Sequence, residues 1–131
     1  MDLPDYYFRV RENGAFVFRV DTQNRQRRIE MDQIAVVNVK NGEIKPQGGR
    51  TLSAEDQRAI DTWMSERIAT LAARDMDDIH RAVDYLNLTA HWAQSRATDA
   101  QLEEVTDAIL LAMHDLRTVL VRKKSDRLTK D

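Results

Sequence analysis

There is no cysteine among the 131 residues. Disulfides, thiolate catalysis, cysteine-ligated zinc and iron–sulfur clusters are excluded together. Long hydrophobic runs are also missing, and none approaches the ~20 apolar residues that a membrane-spanning helix needs. The opening stretch MDLPDYYF has neither the basic n-region nor the apolar h-region of a secretory leader, so a cytoplasmic protein with no membrane partner is expected. No glycine-rich phosphate loop is present: Gly48, Gly49 and Arg50 lack its spacing and its Lys-Ser/Thr. No serine sits in a Gly-x-Ser-x-Gly context. These absences assign no catalytic residue and imply no cofactor. The expectation is a non-enzymatic protein.

Glycine and proline are scarce and confined. Gly14, Gly42, Gly48, Gly49, Pro4 and Pro46 all lie in the first 49 residues, and the 81 residues from Thr51 onward contain neither. A stretch that long without either breaker, rich in Ala, Leu, Asp, Glu, Arg and Gln, is helical by default. The first third carries the β-branched and aromatic runs instead. Strands followed by helices is the α+β pattern. We therefore expect one α+β domain over residues 1–124. It comprises an antiparallel β-meander of four or five strands over residues 5–46, then three helices at about 53–73, 75–96 and 99–124. The last two helices should form a long antiparallel hairpin, with a frayed tail over residues 125–131.

Charge divides along the same line. Residues 1–50 hold nine Lys/Arg and seven Asp/Glu, whereas residues 51–131 hold eleven and fifteen. The two parts are mildly complementary, which favours docking of one on the other at least as much as an external partner.

The runs YYFRV and AFVFRV flank Asn13-Gly14, a β-hairpin signal. A strict Asn13-Gly14 loop would pair Val10 with Val17 and split the apolar residues between two faces, which a buried sheet resists. A three-residue loop, Glu12 to Gly14, pairs Phe8 with Phe18, Val10 with Phe16 and Tyr6 with Val20, and makes Gly14 a left-handed bulge residue. Tyr7, Arg9, Arg11, Val17 and Arg19 then share the other face. Asn41-Gly42 predicts a second, two-residue turn pairing Val39 with Ile44, and Pro46 suits a sheet edge. Residues 34–39 read as a central strand.

The helical part carries caps and seams. Ser53 with Asp56, and Thr98 with Gln101, are spaced as capping boxes, and Asp75 is a candidate N-cap. Ile60, Trp63, Met64, Ile68 and Leu71 recur at helical spacing in the first predicted helix. The second has Met76, Ile79, Val83, Leu86, Ala90 and Ala93, and the third Leu102, Val105, Ile109, Ala112, Leu116 and Val119, both in alternating steps of three and four. Leu110, Met113, Leu120 and Val121 widen the last stripe. Two such long helices carry more apolar surface than a small sheet can cover. The leading expectation is thus an interaction or regulatory module that homodimerises through the hairpin, with Leu110, Met113, Leu120 and Val121 in the interface; it also leaves room for an unidentified protein partner.

Two alternatives come from polar clusters. Tyr7, Arg9, Arg11 and Arg19 on one sheet face, continued by Arg25, Arg27 and Arg28, form an arginine-rich surface for nucleic acid or another anion. A pI near 5.9 weighs against a phosphate binder. Asp77, His80, Asp84 and His91 recur on one flank of the second predicted helix, a spacing that brings ligands for a divalent metal together. An ordinary solvated helix flank explains the same pattern.

Overall fold

A computed structural model of the chain describes residues 3–21 and 28–130. Four strands, β1 (Tyr6–Arg11), β2 (Gly14–Asp21), β3 (Glu30–Asn38) and β4 (Ile44–Pro46), form one antiparallel meander in the order β1-β2-β3-β4. A 3-10 turn at Gln47–Gly49 leads into α1 (Ala54–Ser95), and α2 (Asp99–Leu128) follows. The class is α+β, as the distribution of glycine and proline implies. Among the described residues no helix is long and apolar enough to cross a membrane.

There are two helices rather than three. The first and second predicted helices are one 42-residue helix running straight through Asp75. Asp favours a cap, but inside a helix it costs only about 0.7 kcal/mol relative to Ala. With no Gly or Pro nearby, nothing terminates the helix there. The helix α2 likewise continues through residues 125–128, past the point where fraying was expected, and closes where the Thr129 N–H donates to the Ser125 carbonyl. Ser53 and Asp56 do form a reciprocal cap, each backbone N–H donating to the other's side chain at 3.0 Å. Thr98 and Gln101 make the corresponding box at the start of α2.

The chain divides into two compact units, Met1–Asp78 and Ile79–Asp131. In the first, Ala15, Val17, Ile34, Ala35, Val37, Ile60 and Met64 form the core, with Tyr6, Phe8 and Trp63 packed on it. A bulge in β3 pairs Val17 with Ala35 but Phe18 with Gln33. Ile34, the extra residue, is fully buried alongside Ala35.

The first hairpin takes neither expected register. Tyr6 pairs with Arg19, Phe8 with Val17, Val10 with Ala15 and Arg11 with Gly14, across a Glu12-Asn13 loop. A shift of one residue reverses every face. Val17 and Arg19 therefore turn toward α1, while Phe16 and Phe18 join Tyr7, Arg9 and Arg11 on the outer face. Apolar residues are tolerated there because the arginines cover them: Arg9 lies 4.6 Å from the Phe18 ring and Arg11 4.8 Å from the Phe16 ring. Phe18 is left only 7 % exposed. Stem burial and cation–π attraction act together here.

Gly14 is a strand residue, not a left-handed bulge. A β-carbon there would land on the Val37 carbonyl oxygen, so glycine is required by the close approach of β3. The second turn is also longer than expected. Val37, not Val39, pairs with Ile44. The Gly42 N–H donates to the Asn38 carbonyl at 2.9 Å, Gly42 itself has φ +73°, and the Asn38 side chain accepts from the Lys40 N–H. The Asn38 side chain and one left-handed glycine thus organise a four-residue loop that a two-residue turn would leave unsatisfied.

Two glycine substitutions separate these roles. Gly14→Ala should cost about 2–3 kcal/mol, because backbone must move to admit a methyl group. Gly42→Ala should cost about 1 kcal/mol, from its left-handed conformation alone, since no atom lies near its missing β-carbon. Chemical denaturation of the two variants measures the difference. A smaller loss at Gly14 than at Gly42 would refute the close-approach account.

Candidate functional site

The most organised polar cluster joins the sheet to the start of α1. The alternation of β1 and β2 brings Tyr6 and Arg19 opposite each other on the face under α1. The cap at Ser53 fixes Asp56 above them. The Tyr6 hydroxyl donates to Asp56 Oδ1 at 2.6 Å, and Arg19 Nη2 donates to Oδ2 at 2.6 Å. The Ser53 N–H donates to Oδ2 at 3.0 Å. Asp56 is 1 % exposed. Burial alone would raise its pKa, but the hydrogen bonds from Arg19, Tyr6 and Ser53 outweigh that and hold it far below the usual carboxylate range. Burial, and then the hydrogen bond to the Asp56 carboxylate, push the Tyr6 hydroxyl up to about 12. A second pair lies nearby: Arg50 donates to both carboxylate oxygens of Asp32, at 2.8 and 3.1 Å.

The spacing of Ser53 and Asp56 pointed to the cap, not to the cluster. A signal was present in the short Asp at a position where capping boxes usually carry Glu or Gln. Recognising the second role of Asp56 required the hairpin register that sets Tyr6 beside Arg19.

The arginine face is reduced. Tyr7, Arg9 and Arg11 share the outer face with Phe16 and Phe18, but Arg19 points the other way, to Asp56. Arg9 and Arg11 lie across the aromatic rings. Arg28 is exposed; Arg25 and Arg27 fall outside the described residues. Asp77, His80, Asp84 and His91 are all exposed along α1. Among the described residues no group of three or more His, Asp or Glu side chains is placed to hold a metal ion.

The unit Ile79–Asp131 has a different character. Its two helical segments are joined by three residues, with the Arg96 and Ala97 N–H groups both donating to the Trp92 carbonyl. Near this tip Trp92, Ala93, Leu102, Val105 and Ile109 are half-buried and line an apolar groove of about 220 Å³. Leu86, Leu110 and Met113 border the same groove. Leu110, Met113, Leu116, Leu120 and Val121 are each about half exposed, as are Ile79, Val83 and Leu86. No residue of α2 is buried. The four expected interface residues, Leu110, Met113, Leu120 and Val121, are each exposed.

Comparison with protein-family models, curated proteins and solved structures gives no match for this chain.

The Asp56 cluster makes predictions at both ends of the pH scale. Its carboxyl has a lower pKa folded than unfolded, so its contribution is full above about pH 4 and declines as the pH falls further. Thermal melts of wild type should therefore drop more steeply below pH 4 than those of Asp56→Asn; parallel curves would contradict the assignment. Asp56→Ala should cost about 3 kcal/mol. Tyr6 has the opposite sign: its hydroxyl is raised, so its contribution is full below pH 10 and disappears between pH 10 and 12. Of the three tyrosines, one should ionise near pH 12 by ultraviolet absorbance, and Tyr6→Phe should remove that component. If Tyr6→Phe leaves the titration unchanged, the Tyr6 hydrogen bond is wrong.

Proposed function

We propose that this chain is a non-enzymatic interaction module that homodimerises through the apolar stripe of its helical hairpin. The observation that carries this reading is the stripe itself. Its large aliphatic residues recur at helical spacing and stay about half exposed along both segments. Contiguous apolar patches of more than a few hundred Å² are uncommon on monomers and mark interaction surfaces. A two-fold copy is a natural cover, because an isologous contact buries the same stripe on both chains and C2 dimers are the commonest assembly. Two hairpins joined in this way make a four-helix arrangement with ordinary bundle packing.

The expected mass in sedimentation at micromolar concentration is twice the 15.2 kDa of the chain. Leu116→Glu combined with Leu120→Glu should return it to the monomer value while keeping the helical circular dichroism, because both side chains are exposed in the single chain. A monomeric wild type, or a double variant that still dimerises at that concentration, would reject the reading.

A further inference from the structure

The two edges of the sheet are built differently. The β4 edge is three residues long and ends on Pro46, two devices that discourage strand addition. The β1 edge is six residues, YYFRVR, with no proline inside it.

The direction of its free groups follows from one bond. The Val20 N–H donates to the Asp5 carbonyl at 2.8 Å, and Asp5 opposite Val20 continues the β1–β2 register. In an antiparallel pair, bonded and non-bonded positions alternate. Tyr7, Arg9 and Arg11 therefore bond to β2, and the N–H and C=O groups of Tyr6, Phe8 and Val10 point away from the sheet. Among the described residues no backbone group of another element reaches them.

We infer that this edge pairs with the same edge of a second copy, antiparallel and two-fold symmetric about Phe8, joining two four-stranded sheets into one. The strand is self-complementary in this register. Tyr6 faces Val10 of the second copy and Phe8 faces its own equivalent, so every outward N–H and C=O finds a partner. Tyr7 comes opposite Arg9 of the second copy, an aromatic–cation pairing across strands. The neighbouring registers are worse. A shift of two residues one way leaves Tyr6 unpaired and sets Arg9 against Arg9. The same shift the other way sets Val10 against Pro4, which has no N–H.

There is also room beside the edge. Tyr6, Phe8, Ala59, Thr62 and Trp63 line the floor of an open groove of about 480 Å³ beside β1, which Glu55, Arg58 and Glu66 also border. Phe8 and Trp63 stack there with centroids 4.9 Å apart. The second copy's Phe8 enters this groove on the side facing α1. The contact uses none of the residues of the helical stripe.

Disulfide trapping tests the register, since the chain has no cysteine of its own. A Tyr7→Cys chain mixed with an Arg9→Cys chain places the two thiols in a non-hydrogen-bonded cross-strand pair, with Cα atoms about 4.5 Å apart and within disulfide reach. Under mild oxidation the mixed dimer should dominate over either variant alone. It should persist when both chains also carry Leu116→Glu and Leu120→Glu, which separates this contact from the hairpin reading. Adding Val10→Pro should abolish it, because proline removes only an outward N–H. Should that variant unfold, the comparison among the Tyr7, Arg9 and mixed samples decides alone. Equal cross-linking in all three samples, or Arg9→Cys alone cross-linking as well as the mixture, overturns the proposal. So does a cross-link that the two Glu substitutions abolish.

Discussion

A carboxylate taken out of water costs several kcal/mol unless its charge and its lone pairs are matched. Asp56 meets that demand with three donors from three places: Tyr6 in β1, Arg19 in β2 and the Ser53 backbone ahead of α1. One group therefore fixes the hairpin register, the start of the helix and the docking of one on the other. Slipping β1 by one residue against β2 would turn either Tyr6 or Arg19 away and leave the charge inadequately paired. The hydrophobic core alone does not distinguish registers so sharply, because β2 is apolar on both faces. Ile60 and Met64, one and two turns further along α1, reach the core only in the orientation that Asp56 sets.

The same constraint explains the outer face. With Val17 and Arg19 committed inward, Phe16 and Phe18 must face out, and uncovered rings there would make a sticky sheet surface. Arg9 and Arg11 are spaced to lie over them, so the arginines that resemble an anion-binding ribbon act first as covers for aromatic rings. Their guanidinium groups still meet water, but their stems and planes are engaged. This differs from Arg19, whose charge is spent on a buried partner.

The α+β division could be read directly from where glycine and proline stop. So could both capping boxes, the edge role of Pro46, and the burial of Ile60 and Met64 at helical spacing. The hairpin register could not be read. It turned on the alternative that apolar residues gather on one face, and β2 breaks that rule because arginine stems cover its outer rings. Gly14 misled for a related reason. Glycine serves both positive φ and close backbone approach, and only the position of Val37 in β3 tells them apart. Asp75 shows the limit of local capping signals: a good cap residue without a terminator before it remains an interior residue. The exposed stripe was legible as an excess of apolar heptad positions, since that excess depends on counting surface rather than on contacts.

The two units spend their polar and apolar groups in opposite ways. In the sheet unit the buried carboxylate accepts three hydrogen bonds, from Tyr6, Arg19 and the Ser53 backbone. Among the described residues no buried side-chain polar atom lacks a hydrogen-bond partner. In the helical unit the imbalance is apolar: α2 buries none of its residues while carrying aliphatic side chains along most of its length. The interior polar groups are thus paired, while the helical unit leaves its aliphatic side chains about half exposed. The helical stripe calls for cover because it exposes hydrocarbon to water. The β1 edge calls for it because it exposes directed backbone groups. Hydrocarbon burial scales with area and tolerates sliding, whereas backbone pairing is sensitive to a single residue of register. A contact made by the stripe would thus supply affinity, and one made by the edge would supply alignment.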